Sequence, residues 1–91
     1  MNLRAFLDYI TYEKRYSTHT VNAYRRDIQQ FFDFVSSNQE LDTIFPTDHK
    51  IARRWVADLI SQNKKSATIN RKITALKAFY KFLLQQKAVD S

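Results

Sequence analysis

The sequence predicts an all-α domain, a single bundle of four helices, from three observations. It has no glycine and one proline in 91 residues, so tight hairpins that need positive φ would have to rely on Asn or Asp. Apolar residues recur at the 3.6-residue spacing of an amphipathic helix in four separate segments. Each segment opens beside an Asn, Ser, Thr or Asp, whose short polar side chain can accept from the free N–H groups of a first helical turn.

In chain order, Asn2 can cap a first helix over residues 3 to about 15, with Leu3, Phe6, Leu7 and Ile10 on one stripe. Ser17 or Thr18 can cap a second, from His19 to about Ser37. Its core face carries Val21, Tyr24, Ile28, Phe31, Phe32 and Val35, and its opposite face His19, Asn22, Arg25, Arg26, Gln29 and Asp33. Asp27 breaks the pattern by projecting among the apolar positions. An isolated buried carboxylate is costly, so Asp27 is expected to be paired with a basic side chain or a helix N-terminus. Residues 38–46 form a connection that Leu41, Ile44 and Phe45 are expected to pin to the core, and Pro46 closes it. Thr47 or Asp48 starts a third helix to about residue 62, burying Ile51, Trp55, Val56 and Leu59 and exposing Lys50, Arg53, Arg54 and Asp58. Asn63, Lys64 and Lys65 make the turn into a fourth helix, capped by Ser66 and running to about Lys87. Its expected core stripe is Ile69, Ile73, Leu76, Tyr80 and Leu83. Trp55, Phe31, Ile73, Leu76 and Tyr24 are expected to share one core.

Composition narrows the function. Hydrophobic residues are 44% of the chain and aromatics 14%, enough apolar surface to offset the entropy of ordering one small domain. There is no cysteine, hence no disulfide framework and no thiolate metal site, which fits a reducing cytoplasm. The first residues interrupt their apolar positions with charges and resemble a helix rather than a secretory signal. No stretch approaches the roughly 20 apolar residues of a membrane span, so no membrane partner is expected. His19 and His49 lie in different segments without carboxylates at ligand spacing, so neither a metal nor another cofactor is expected. The formal charge is +6, and residues 59–89 contain no acid but Lys64, Lys65, Arg71, Lys72, Lys77, Lys81 and Lys87. That asymmetry points to a polyanion, nucleic acid first. On the fourth helix Asn70, Thr74, Lys77 and Lys81 share a stripe away from the core, with Arg71 on its flank. Ala67, Ala75 and Ala78 beside it are small enough to let a helix backbone come close to DNA, or to pack against another helix.

Ser17, Thr18, His19, Thr20 and Val21, followed by Tyr24, Arg25, Arg26, Asp27, Ile28 and Phe31, resemble the S-x-x-T, Y-x-x-D-L and F pattern of the N-terminal core-binding domain of tyrosine recombinases, or phage integrases. Residues 66–83 resemble the segment of the same domain that carries T-I-x-R-x-L-S-A-L-R-x-F-Y-x-F-L, from Thr68 here, in Xer-type and integron-like members. The resemblance implies a SAM-like four-helix bundle that covers one face of double-stranded DNA while a separate catalytic domain covers the other. It implies that the second and fourth helices present their N-terminal halves to the major groove, which carries over to His19, Thr20, Asn22 and Arg26, and to Ala67, Asn70, Arg71 and Thr74. Charge and helical position add Arg25, Lys65, Lys77 and Lys81. Alanine at positions 67 and 75 would read few base edges. Residues 1–88 would be the core-binding domain and residues 89–91 the start of a linker to the catalytic domain. Recombinase protomers and that catalytic domain would be the protein partners. The arginine, lysine, H-x-x-R pair and tyrosine nucleophile of family catalysis are not patterned here, so this chain is not expected to be an enzyme by itself. Two other readings remain: a helical protein-interaction module, for which Phe79 and Phe82 would form an exposed patch, and a small standalone helix-turn-helix regulator using the turn at residues 63–65.

Overall fold

The structure is a computed structural model that describes residues 3–37 and 49–86, with only the backbone of His49. The connection carrying Leu41, Ile44 and Phe45, the caps expected from Asn2 and from Thr47 or Asp48, and the chain from Lys87 onward lie outside the described residues. Among the described residues all regular structure is helical. The elements are α1 (Leu3–Asp8), which continues into a π-helical turn (Tyr9–Glu13), α2 (Thr18–Ser37), α3 (His49–Ser61) and α4 (Ser66–Gln85).

The first helix is not one uninterrupted α-helix. The Thr11 hydroxyl donates to the carbonyl of Leu7 at 2.7 Å, and the Lys14 N–H reaches the carbonyl of Tyr9, five residues back, at 3.1 Å. The widened turn is followed by Arg15 at φ 56° and closed by the Tyr16 N–H on the carbonyl of Ile10 at 2.9 Å. At the end of α3, Asn63 takes φ 61°, its N–H bonds the carbonyl of Ile60 at 2.9 Å, and the Lys64 N–H bonds that of Leu59 at 3.2 Å. This is a Schellman closure with asparagine in the left-handed position that glycine usually fills. The turn expected at residues 63–65 is thus present. The N-terminus of α4 differs from expectation: Ser66 is its first helical residue, and the flanking Lys65 is extended and offers no side-chain cap.

One core runs through the bundle, built from Phe6 and Ile10, Ile28 and Phe31, Ile51, Trp55 and Leu59, and Ala75, Leu76, Phe79, Phe82 and Leu83. Phe79 is fully buried, with its ring 5.3 Å from that of Phe6 and 5.7 Å from that of Phe32, while Phe31 meets Trp55 edge-on at 5.2 Å. The core face of α4 is therefore rotated from the expected stripe. Leu76 and Leu83 are buried as expected, whereas Ile69, Ile73 and Tyr80 are only half-buried and Ala75, Phe79 and Phe82 take the interior. Ile73 lines an apolar groove between α3 and α4 with Ala52, Val56 and Tyr80, which also leaves Val56 half-buried. Tyr24 packs on the rim of the core rather than within it. Two overlapping stripes share Leu76 and Leu83. The one chosen is the one that meets the aromatic rings of α1 and α2.

Asp27 is fully buried and ties α2 to α4. Its Oδ2 accepts from Arg71 Nε at 3.0 Å, and its Oδ1 accepts from Arg71 Nη2 and from Lys72 Nζ, each at 2.9 Å. Lys72 also donates to Gln30 Oε1. The expected pairing of Asp27 with a basic side chain is thus present, twice over, and Lys72, counted among the polyanion-facing charges from sequence, lies inside the fold. Burial alone pushes the Asp27 carboxyl up, but the hydrogen bonds from Arg71 and Lys72, and then their charges, outweigh it and hold the group below the usual carboxylate range.

Two expectations follow for stability. Phe79→Ala should cost about 3–5 kcal/mol and the half-buried Ile73→Ala distinctly less, read by urea unfolding; the reverse order would restore the other helical phase. Asp27→Ala, which strands the buried ammonium of Lys72, should cost about 3–5 kcal/mol. Because the folded pKa of Asp27 is depressed, its contribution is complete above the unfolded value of about 4 and is lost as pH falls through the lower folded value. Wild-type stability should therefore drop with acid in that window, and the Asp27→Ala profile should be flatter there.

Candidate nucleic-acid interface

The residues singled out on α2 and α4 come from two antiparallel helices. Asp27 and Gln30 of α2 bond residues 71 and 72 of α4, while Tyr16, just before α2, shares a cavity with Ala78, Lys81 and Gln85 near the other end of α4. The N-terminal turn of α2 is organised by Ser17, which resolves the choice of cap. Its Oγ accepts from the Thr20 N–H at 3.1 Å and its hydroxyl donates to Thr20 Oγ1 at 3.0 Å. Thr20 is thereby half-buried and engaged in the cap, and His19 beside it is exposed. Arg25 and Arg26 are exposed and line a shallow depression with Gln29, Gln30 and Leu3. Asn22 is half-buried, its Oδ1 3.5 Å from Arg25 Nη2, a contact at the outer limit of a hydrogen bond.

Lys65, just before α4, and Ala67 in its first turn are exposed, and so are Asn70, Thr74, Lys77 and Lys81, so the outward stripe read from sequence is on the surface even though the core face is rotated from the expected one. The Thr74 hydroxyl donates to the carbonyl of Asn70 at 2.9 Å. The small residues divide. Ala67 is exposed, but Ala75 is fully buried and Ala78 packs against the core. Close helix packing, not close approach to a ligand, is what Ala75 serves.

Arg71 occupies the boundary. Its side chain is 44% exposed although Asp27 is fully buried, so Nε and Nη2 are committed to a buried partner while part of the side chain stays accessible to solvent. The hydrogen bond to Asp27 raises its pKa further, and it is cationic at every accessible pH. Burial, the neighbouring Tyr16 and the Asp27 charge push the Tyr24 hydroxyl up, so it stays neutral.

Among the described residues, Arg26, Lys65, Lys77 and Lys81 have no carboxylate partner. Asp33 and Asp58 instead line a separate depression with Gln62 and Lys64, where Gln62 bonds Asp58 at 2.6 Å. The basic stripe of α4 is extended by a neighbour that sequence reasoning missed. Lys14 lines the cavity of Tyr16 and Lys81, with its Nζ 5.9 Å over the Tyr9 ring. Lys14 sits in the irregular turn after α1, where periodicity gives no signal. Lys72 and Gln30 were missed for another reason. Once the core of α4 is centred on Phe79, Lys72 falls inside the apolar stripe, the mirror image of Asp27 on α2. Among the described residues no group of His, Asp or Glu could hold a metal ion, and no helix is long and apolar enough to cross a membrane.

Residues 3–87 match the family described as phage integrase, N-terminal SAM-like domain. Among similar proteins, the tyrosine recombinase XerC of Anoxybacillus flavithermus is 34% identical over 88 residues, covering 97% of this chain and 29% of that protein. The XerC proteins of Staphylococcus haemolyticus and Pelobacter propionicus are each 38% identical, covering 89% and 97% of this chain but 27% and 29% of their own lengths. The chain thus spans less than a third of these curated relatives. No solved structure matches it. A SAM-like helical bundle, the resemblance carried by the α2 and α4 segments and a match over residues 3–87 lead to one assignment: the chain belongs to the phage integrase N-terminal SAM-like domain family.

Proposed function

We propose that this chain binds double-stranded DNA through the exposed faces of α2 and α4, as the core-binding part of a site-specific tyrosine recombinase, and that it holds DNA without cutting it. The observation that carries the reading is the set of exposed cations on and beside these helices: Lys77 and Lys81 on α4, Lys65 just before it, and Arg25 and Arg26 on the antiparallel α2, with no carboxylate paired to Arg26, Lys65, Lys77 or Lys81 among the described residues. Unneutralised surface cations attract phosphates and release the counterions condensed on DNA. His19, Thr20, Asn22, Ala67, Asn70, Arg71 and Thr74 are the groove-facing candidates. Arg71 is the one with a planar donor fork, and its outer edge is the part left for a base. Thr20 and Thr74 have hydroxyls engaged within the protein, so they serve as weaker readers. Strand cleavage and rejoining would belong to a catalytic domain, and the recombination partners to the assembled protomers.

The protein-interaction reading required Phe79 and Phe82 on the surface. Both are buried against α1, with the Phe6 ring 5.3 and 5.6 Å away. The helix-turn-helix reading required a short unit, whereas α3 and α4 have 13 and 20 residues around their turn.

Fluorescence anisotropy with labelled duplexes at several salt concentrations tests the proposal. If five cations neutralise phosphates, log affinity should fall with log salt at a slope of about −4 to −5; an affinity independent of salt would end the reading. Lys77→Ala should weaken cognate and scrambled duplexes alike and lower the slope by about one, whereas Arg71→Ala should cost about 1–3 kcal/mol on a cognate site and less on scrambled DNA. Arg4→Ala, on the exposed face of α1, is the control and should change neither; equal losses for all three variants would remove α4 as the binding element.

A further inference from the structure

The Asp27 cluster does more than join two helices. Asp27 takes the Nε and one Nη2 donor of Arg71 at 3.0 and 2.9 Å, with the carboxylate fully buried and the arginine side chain 44% exposed. A guanidinium carries its five N–H donors in one rigid plane, so fixing two of them fixes the direction of the rest. What remains free is the edge formed by Nη1 and the second Nη2 hydrogen, a fork suited to guanine O6 and N7 or to two phosphate oxygens. The placement of Lys72 completes the device. A lone Asp27–Arg71 pair would be neutral and would attract a polyanion poorly, but the Lys72 ammonium bonds the same carboxylate from the inside at 2.9 Å. The cluster keeps one net positive charge, and its only exposed cation is Arg71.

We propose that Asp27 is a positioning residue for DNA recognition, holding the Arg71 guanidinium in its DNA-binding orientation before DNA arrives, with Lys72 supplying the charge that Asp27 would otherwise cancel. This rests on the DNA-binding reading of the α2 and α4 face and adds to it. The arginine does not swing from Asp27 to the ligand; it stays bonded to Asp27 and contacts DNA with its other edge. Immobilising a long side chain in advance removes part of the entropic cost of binding, worth on the order of a tenfold gain in affinity.

The test uses the 91-residue chain, labelled with ¹⁵N, and a mixed-sequence duplex. The Arg71 Nε–H resonance, assigned by its loss in Arg71→Lys, should be sharp and protected from solvent exchange in the free protein, and should remain so when the duplex is bound. Asp27→Asn should lose that protection and on the order of tenfold in affinity per folded molecule. Arg71→Ala should lose a similar amount, and the double variant no more than Arg71→Ala alone, because the two residues act through one interaction. Release of the Nε–H into fast exchange on binding DNA would overturn the proposal, as would a folded Asp27→Asn protein that binds as tightly as wild type. Should Asp27→Asn fail to fold, the resonance of the wild-type protein decides. Failure of the underlying reading looks different: the wild-type chain would not bind the duplex, or Arg71→Ala would bind as well as wild type, and the positioning role would fall with it.

Discussion

A buried carboxylate is tolerated only where opposite charge and hydrogen bonds replace its water, and in this bundle Asp27 obtains both from two consecutive residues of a helix 44 positions away. That requirement restricts α4 in two ways. Residues 71 and 72 reach Asp27 at one position along the antiparallel pair, and they do so together only when α4 is turned so that Lys72 points in and Arg71 lies at the rim. Apolar contacts alone would allow more freedom, because α4 carries apolar side chains over a wide arc. The ion cluster and the aromatic contacts of Phe79 and Phe82 with Phe6 select the same rotation. The outward stripe of Asn70, Thr74, Lys77 and Lys81 follows from it.

The charge of the chain is arranged by the same constraint. Of the cations on α4, Lys72 is removed from the surface and Arg71 is half-committed to the interior, so the surface charge of this region comes from Lys77 and Lys81, from Lys65 just before the helix and from neighbours on other elements. Acids on α2 and α3 gather in a different depression, beside Gln62.

Helix ends in a chain without glycine carry their own cost. Among the described residues both left-handed positions fall to residues with a Cβ, Arg15 after the π turn and Asn63 after α3, and asparagine bears that conformation more easily than arginine does. The widened turn at Tyr9–Glu13 and the bend at Arg15 place Lys14 and Tyr16 beside Lys81, joining the first helix to the basic surface. An ordinary helix running to residue 15 would have carried Lys14 elsewhere.

Much of this protein was determined by its sequence. Four amphipathic segments, a hydroxyl cap at Ser17 or Thr18, the turn at residues 63–65, the exposed stripe of α4 and the need of Asp27 for a partner are all local consequences of spacing, capping chemistry and desolvation, and each is legible without knowing what lies opposite. The family resemblance belongs here too, since it rests on residues 17–31 and 66–83 as written. Tertiary structure decided what local rules leave degenerate. The stripe of Ile69, Ile73 and Tyr80 and the stripe of Ala75, Phe79 and Phe82 are equally helical, and only the positions of α1, α2 and α3 around α4 made the second one the core. The same choice turned Lys72 from a surface charge into a buried one, and divided Arg71 between a partner inside the fold and a part accessible to solvent. Periodicity specifies that a helix has an inside; which side that is depends on the neighbouring helices and on the one buried charge that must be answered.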